Sequence, residues 1–316
     1  MKKAILIPII IGSILLVTGG VLFAVGYANH TNKNQPVTNE YKIEDSFDSI
    51  SIDLDVSTFE IVDSTDGTSR VVFEETTQEY HTYAVENNEL KINFIDNKQW
   101  YERAFNWGVT KMKVTLYTPA HTFGDSKIKN DTGKVIIPNG FSFYNLEIKE
   151  STGRLDVQCS VTNTLKVDIS TGNTAIANIK AKNIDIKSST GKVEISDTIV
   201  EEKVKIETST GRVNLNKLNA NELDIRVDTG DIKLTSVLIA NDMNIKVSTA
   251  DVIFDHSDAL NITVKTSTGD VKGTLLTPKT FFYHTSTGKV NLPKTTGVGT
   301  CNIETSTGDI SITIEP

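Results

Sequence analysis

Basic residues are in short supply in this chain. Across 316 residues, 32 Lys and Arg stand against 40 Asp and Glu, a net charge of −8. No basic cluster appears anywhere, which argues against a nucleic-acid partner. The acid excess also argues against electrostatic docking on anionic lipid. Cysteine is scarcer still: Cys159 and Cys301 are the only two, too few for a disulfide framework. The five histidines, His30, His81, His121, His256 and His284, show no metal-ligand spacing. A Gly-x-Ser-x-Gly elbow, a His-Glu-x-x-His helix, a P-loop and a dinucleotide fingerprint are all missing. These absences point away from an enzyme, although such a search leaves room for a site assembled in three dimensions.

What is present is a repeat. The triplet Ser/Asp-Thr-Gly runs from Asp131-Thr132-Gly133 to Ser306-Thr307-Gly308 in ten copies, with Ser248-Thr249-Ala250 as the one departure. Successive glycine positions are 19 or 20 residues apart. A fixed period in this range marks a stacked solenoid. Apolar residues keep phase with it. Five before the glycine stand Ile128, Ile148, Val167, Ile186 and their equivalents; two after it stand Val135, Leu155, Val193 and Val213. Each flank alternates apolar and polar, the period of a strand, and β-branched residues dominate. A helical reading would place a glycine inside every segment at a cost of ~1 kcal/mol each. The unit is therefore strand, Ser-Thr-Gly corner, strand and a variable return. The glycine answers to a positive φ or a close backbone approach at the corner. Ala250 implies a coil that turns differently or carries strain.

One coil cannot fold alone. About five inward side chains contribute roughly 1.5–3 kcal/mol each, whereas ordering some twenty residues costs on the order of 20–40 kcal/mol. Stacking at about 4.8 Å per coil resolves this and gives a rod about 45–50 Å long. The expected fold is all-β: a single-stranded parallel β-helix of about ten coils. A right-handed winding is expected, because the six-residue period of the left-handed type is missing. Cys159 and Cys301 then lie about 35 Å apart and cannot bridge. Cys301 falls on a core position.

The corner carries two columns. Thr is kept in all ten copies, as a hydroxyl ladder that satisfies corner backbone groups would require. The residue after the glycine varies, and Asp231, Asp251 and Asp270 follow one another in consecutive coils, about 5 Å apart. Such a column reads as a solvated charged edge, a weak Ca²⁺ or polysaccharide contact, or catalytic carboxylates. No cofactor is otherwise called for.

The front of the chain differs. Residues 4–28 are uncharged and strongly apolar behind Met1-Lys2-Lys3. The stretch reads as a transmembrane signal-anchor with a cytoplasmic N-terminus and the bulk outside; Gly26-Tyr27-Ala28 leaves a cleaved signal as the alternative. Residues 29–40 read as a linker, 41–119 as an irregular β-rich cap and 120–316 as the solenoid. Within the cap, Ser57-Thr58-Phe59 echoes the corner motif. Trp100 and Trp107 share one short segment, read as an aromatic plug, a recognition loop or a membrane-lying segment. The chain reaches Ile314-Glu315-Pro316 soon after the last repeat, which suggests an exposed solenoid end able to pair with another molecule.

The Ser-Thr-Gly-Asp-Val and Ser-Thr-Gly-Lys-Val units, behind an irregular strand-rich part, resemble a bacterial envelope family. It is the β-strand-repeat domain of unknown function labelled a "putative adhesin", and the resemblance covers residues 41–316. It implies a β-solenoid at the cell surface, sometimes tied to envelope-stress regulation, and brings no catalytic residues. The expected function is a non-enzymatic binding, adhesion or scaffolding module, with wall polymer, an envelope protein or a host ligand as partner. Two alternatives stand beside it. One is a regulatory partner of a membrane protein. The other is a polysaccharide lyase or hydrolase, with Arg212 and Lys289 beside the Asp column.

Overall fold

A computed structural model describes residues 18–21, 35–100 and 111–315. Twenty-two strands follow in chain order. The first eleven are β1 (Pro36–Ile43), β2 (Ser49–Asp63), β3 (Ser69–Thr76), β4 (Glu79–Glu86), β5 (Glu89–Asp96), β6 (Met112–Thr118), β7 (Thr122–Ile137), β8 (Ser142–Val157), β9 (Ser160–Ala177), β10 (Lys180–Thr190) and β11 (Val193–Thr210). The rest are β12 (Val213–Ala220), β13 (Glu222–Thr229), β14 (Ile232–Thr235), β15 (Leu238–Thr249), β16 (Val252–Asp255), β17 (Asp258–Thr268), β18 (Val271–Leu275), β19 (Lys279–Thr287), β20 (Val290–Asn291), β21 (Gly299–Thr307) and β22 (Ile310–Ile314). The fold is an all-β solenoid of about ten turns.

The corner divides each coil between two faces. Residues upstream of the Ser-Thr-Gly triplet form one continuous sheet, ordered β4–β5–β2–β7–β8–β9–β10–β11–β13–β15–β17–β21–β19. Residues downstream form a second, ordered β1–β3–β6–β2–β7–β8–β9–β11–β12–β14–β16–β18–β22–β20. From the β5/β6 coil onward coil pairs with coil in parallel and identical positions stack, while β4, β3 and β1 are added antiparallel. The Gly−5 column Ile128, Ile148, Val167, Ile186, Ile206 is buried end to end, as is the Gly+2 column Val135, Leu155, Val193, Val213. These ladders of branched side chains are the core. Cys159 and Cys301 belong to it as free thiols, and burial pushes each up to about 12.

The glycine is set mainly by close approach. A Cβ on Gly191 would lie 1.7 Å from the carbonyl oxygen of Gly172 in the adjoining coil, and the φ of Gly191 is +138°. Ala250 shows how the exception is absorbed. Its φ is not positive, and one bond across that rung lengthens: Gly230 N–H to Thr249 O is 3.3 Å, against 2.9 Å for Gly191 N–H to Thr210 O. These coil-to-coil bonds satisfy the corner backbone, which corrects the expected role of the Thr column. The Thr hydroxyls at the corner face solvent instead. A second corner, six residues after the glycine, places Asn178, Asp197, Lys217, Ser236 and His256 at φ between 47° and 57°.

Stacking order departs from chain order at both ends. The final coil, β21 and β22, lies between the β17/β18 coil and the β19/β20 coil. At the other end β2 lies between β7 and the β5/β6 coil. The β21/β22 coil and β2 are thus each enclosed between coils, while β1 lies at the outer edge of the rod. The solenoid end expected at Ile314-Glu315-Pro316 is instead made by β19 and β20, and Glu315 N–H bonds to Leu275 O. The corner echo also sits two residues from its expected place: Ser57 pairs with Gly133, so Asp55-Val56-Ser57 occupies the corner.

The expected single-pass membrane location is corrected. Among the described residues no helix is long and apolar enough to cross a membrane. Of the apolar stretch 4–28 only residues 18–21 are described, as one helical turn, and the rest lies outside the described residues.

Gly191→Ala should test the close-approach argument. The added Cβ must push two coils apart from an unfavourable φ, a loss of roughly 2–4 kcal/mol. Chemical denaturation should show a lower midpoint, whereas Gly67→Ala, in open space at a turn with φ +74°, should cost less.

Candidate binding surface

The corner forms a long exposed edge. The residue after the glycine reads, in stacking order, Arg154, Asn173, Lys192, Arg212, Asp231, Asp251, Asp270, Asp309, Lys289. Chain order puts Lys289 between Asp270 and Asp309. The enclosed final coil removes that break, so four carboxylates run consecutively with Arg212 and Lys289 at their ends. Each acid spends one oxygen on its neighbour. Asp251 N–H donates to Asp231 Oδ1 (3.4 Å), Asp270 N–H to Asp251 Oδ1 (2.9 Å), Asp309 N–H to Asp270 Oδ1 (2.8 Å) and Lys289 N–H to Asp309 Oδ1 (2.7 Å). Lys192 N–H bonds to Asn173 Oδ1 in the same way (3.1 Å). The column is a hydrogen-bonded ladder with the second carboxylate oxygens left for other contacts. Lys272 Nζ lies 3.3 Å from Asp251 Oδ2 and 3.8 Å from Asp270 Oδ2. Among the described residues no cluster of three or more His, Cys, Asp or Glu is placed to hold a metal ion.

Beside this ladder run the Ser and Thr columns. Ser189, Thr190, Ser209 and Thr210 are all exposed. A shallow groove lies along them, lined by Asp168, Lys187, Glu207, Arg226 and Asp228 with the serines. Trp100 is 78% exposed and follows β5 at the corner of the outermost coil. About seven rungs, or roughly 35 Å, separate its coil from that of Asp231. The structure does not bring Trp100 and the Asp column together. Trp107 lies outside the described residues.

Two buried polar groups escaped the sequence reading. The first binds the cap to the rod. Glu75 Oε2 accepts from His81 N–H (2.7 Å) and His81 Nδ1 (3.0 Å), while Glu75 Oε1 accepts from Asn39 Nδ2 (2.8 Å). His81 Nε2 faces Ser57 Oγ at 3.3 Å. Burial lowers the His81 pKa against the opposing pull of Glu75. A proton on Nδ1 lets the ring donate to Glu75 and leaves Nε2 as the acceptor for Ser57. The connectivity matches a nucleophile, base and acid. Ser57, however, is 2% exposed and faces inward, and a separate shallow groove over β1, β3 and β4 reaches Glu75 and His81 but not Ser57. Its bonds tie β1, β3, β4 and β2 together. No local spacing could have announced it, since Ser57, Glu75 and His81 sit on three separate strands.

The second group is legible in hindsight. Three residues before the glycine the column turns inward, and there it carries Asn130 and Glu150. Asn130 Nδ2 donates to Ser57 O (3.0 Å) and to both Glu150 oxygens (3.3 and 3.1 Å). Burial outweighs these bonds and pushes Glu150 up to about 7. Above the unfolded value near 4.5 the unfolded chain releases this proton first, so stability falls as pH rises from about 4.5 to about 7. Glu150→Gln removes that slope. The variant should exceed the parent by about 1–3 kcal/mol at pH 8 and converge with it near pH 4.5, as read by denaturation at each pH. An equal difference at both values would show that burial of the charge is not the cause.

Comparison with solved structures places the fold. A "putative lipid binding protein" from Parabacteroides distasonis is 15% identical, with a TM-score of 0.50 over 76% of this chain and 94% of its own. A "putative adhesin" from Bacteroides fragilis is 17% identical, with a TM-score of 0.45 over 88% of this chain and 97% of its own. At such identities the likeness is one of fold alone. No curated protein matches the chain. Residues 47–313, from just before β2 to β22, match the Toastrack DUF4097 model, and the chain belongs to that family.

Proposed function

We propose that this chain is a non-enzymatic binding module that recognises an extended polymer, wall polysaccharide being the class considered first. The observation that carries this reading is the corner edge. Hydroxyls and carboxylates recur there at the rung spacing of about 4.8 Å, on a rod stiffened by parallel pairing. A surface of this kind offers many equivalent weak contacts, and a polymer adds them through effective concentration. Sugar hydroxyls suit both components: they donate to carboxylate oxygens and exchange hydrogen bonds with Ser and Thr. The Asp231, Asp251, Asp270 and Asp309 run is the most concentrated part of the edge. Arg212 and Lys289 at its ends add donors for anionic substituents.

Co-sedimentation with insoluble wall polysaccharide tests the reading. Asp231→Asn, Asp251→Asn and Asp270→Asn together keep the acceptor of each ladder bond and remove the charge. Retention by the parent chain and about tenfold weaker binding by the triple variant are expected. Equal retention of both would clear the Asp column of any part in binding. Release of soluble fragments from the polymer by the parent would replace this reading with an enzymatic one.

A further inference from the structure

The two ends of the rod are unlike. At the β1/β4 end, antiparallel strands close the solenoid: β4 is added to β5, and β3 and β1 are added to β6. At the β19/β20 end no described strand is added beyond the last coil. β19 pairs on one side only, with β21. Phe282 is 56% exposed and Tyr283 57%. Val290 is exposed as well.

Both termini of the upstream sheet are strands of matching length, β4 with eight residues and β19 with nine. The register links them residue by residue. Tyr83 pairs with Ile92, Ile92 with Ile52, and Ile52 with Ile128. From there the Gly−5 core column continues to Ile303 and ends at Tyr283. Tyrosine thus caps the same core column at both ends. Val85 and Phe281 end the neighbouring inward column in the same way, and Ala84 and Phe282 end an outward one. A copy shifted along the rod axis would bring Tyr83 onto Tyr283 and Val85 beside Phe281.

Charge agrees with this pairing. The hairpin of β4 and β5 carries Glu79, Glu86, Glu89 and Asp96 against Lys91, with Glu79 spent on buried Lys98 at 2.6 Å. Between Asp270 and Glu304 the chain has Lys272, Lys279, Lys289 and Lys294 and no acid. Lys279 is spent on buried Asp258 at 2.9 Å, which leaves Lys289 and Lys294 at the outer coil. The downstream sheet projects one strand further than the upstream one at the β1/β4 end. At the other end its last rung is the two-residue β20, which leaves Ile312–Ile314 of β22 without a strand on that side. With β4 beside β19, β1 falls on the rung of β20, where Ile312–Ile314 are open to it and the two residues Val290 and Asn291 must give way. Like-with-like joining of two β19 ends would oppose lysine to lysine.

We infer that the β19 edge receives the β4 edge of a second copy of this chain, in antiparallel pairing, so that the solenoids join head to tail. The contact is heterologous and does not close, so association continues into linear assemblies. The inference is independent of any glycan ligand.

Two full-length variants, Ala84→Cys and Phe282→Cys, test the geometry when mixed under mild oxidation. Both positions are exposed, while Cys159 and Cys301 are buried. A disulfide-linked heterodimer in excess of both homodimers is expected. In parallel, sedimentation of the unmodified chain should show mass rising with concentration. Lys289→Glu with Lys294→Glu should weaken that association by about tenfold with unchanged circular dichroism. A Phe282→Cys homodimer as the main product would mean tail-to-tail pairing and overturn the inference. A strictly monomeric chain at high concentration would overturn it equally.

Discussion

The close stacking of corner on corner is the constraint on which the rest of the molecule depends. At most rungs a glycine brings its backbone to within a carbonyl's contact distance of the coil beside it, and Gly191, Gly211 and Gly269 reach the next Thr carbonyl through their N–H at 2.9 Å. Every other position inherits its register from that contact. Because the corners superimpose, the inward columns superimpose, and a core forms from ladders of like residues rather than from an interlocking set of unlike ones. The surface columns superimpose too, which is why the acids after the glycine can bond one another's backbones in sequence.

Much of this was legible in the chain. The period, the strand pairs flanking the corner and four inward columns follow from alternation around Ser-Thr-Gly. The Gly−3 column was less legible, since its occupants range from Asn130 and Glu150 through Ile169 to Ser188 and Thr208. The αL column at Asn178, Asp197, Lys217, Ser236 and His256 was hidden for the same reason: five residue types share one backbone conformation.

The order of the end coils was not legible, and the reason is physical. Coils with the same columns can stack in any order, so the repeat alone cannot say which neighbours which. The deciding marks are local. Tyr283 and Phe281 stand where other coils have smaller core residues, and only an outermost coil has room for them. Gly297 and Gly299 permit the return, since a Cβ on either would strike the carbonyl of Pro278 or Leu260 at 1.8 Å. At the opposite end the Glu75–His81–Ser57 group fixes the cap through contacts between separate strands, which no spacing rule describes.

Enclosure of β2 and of the β21/β22 coil bears on how the molecule comes to be built. A solenoid is expected to grow by adding each new coil to the face of the last. Here β2 is made before either of its neighbours, which are supplied only when β5, β6 and then β7 have followed. At the far end the β19/β20 coil cannot settle on its final neighbour until β21 and β22 have entered the gap beneath it. Assembly therefore finishes by an insertion rather than an addition. Until that last segment arrives, the β17/β18 coil keeps an open edge of its own, the stage at which a growing chain of this kind is most exposed to pairing with the wrong strand.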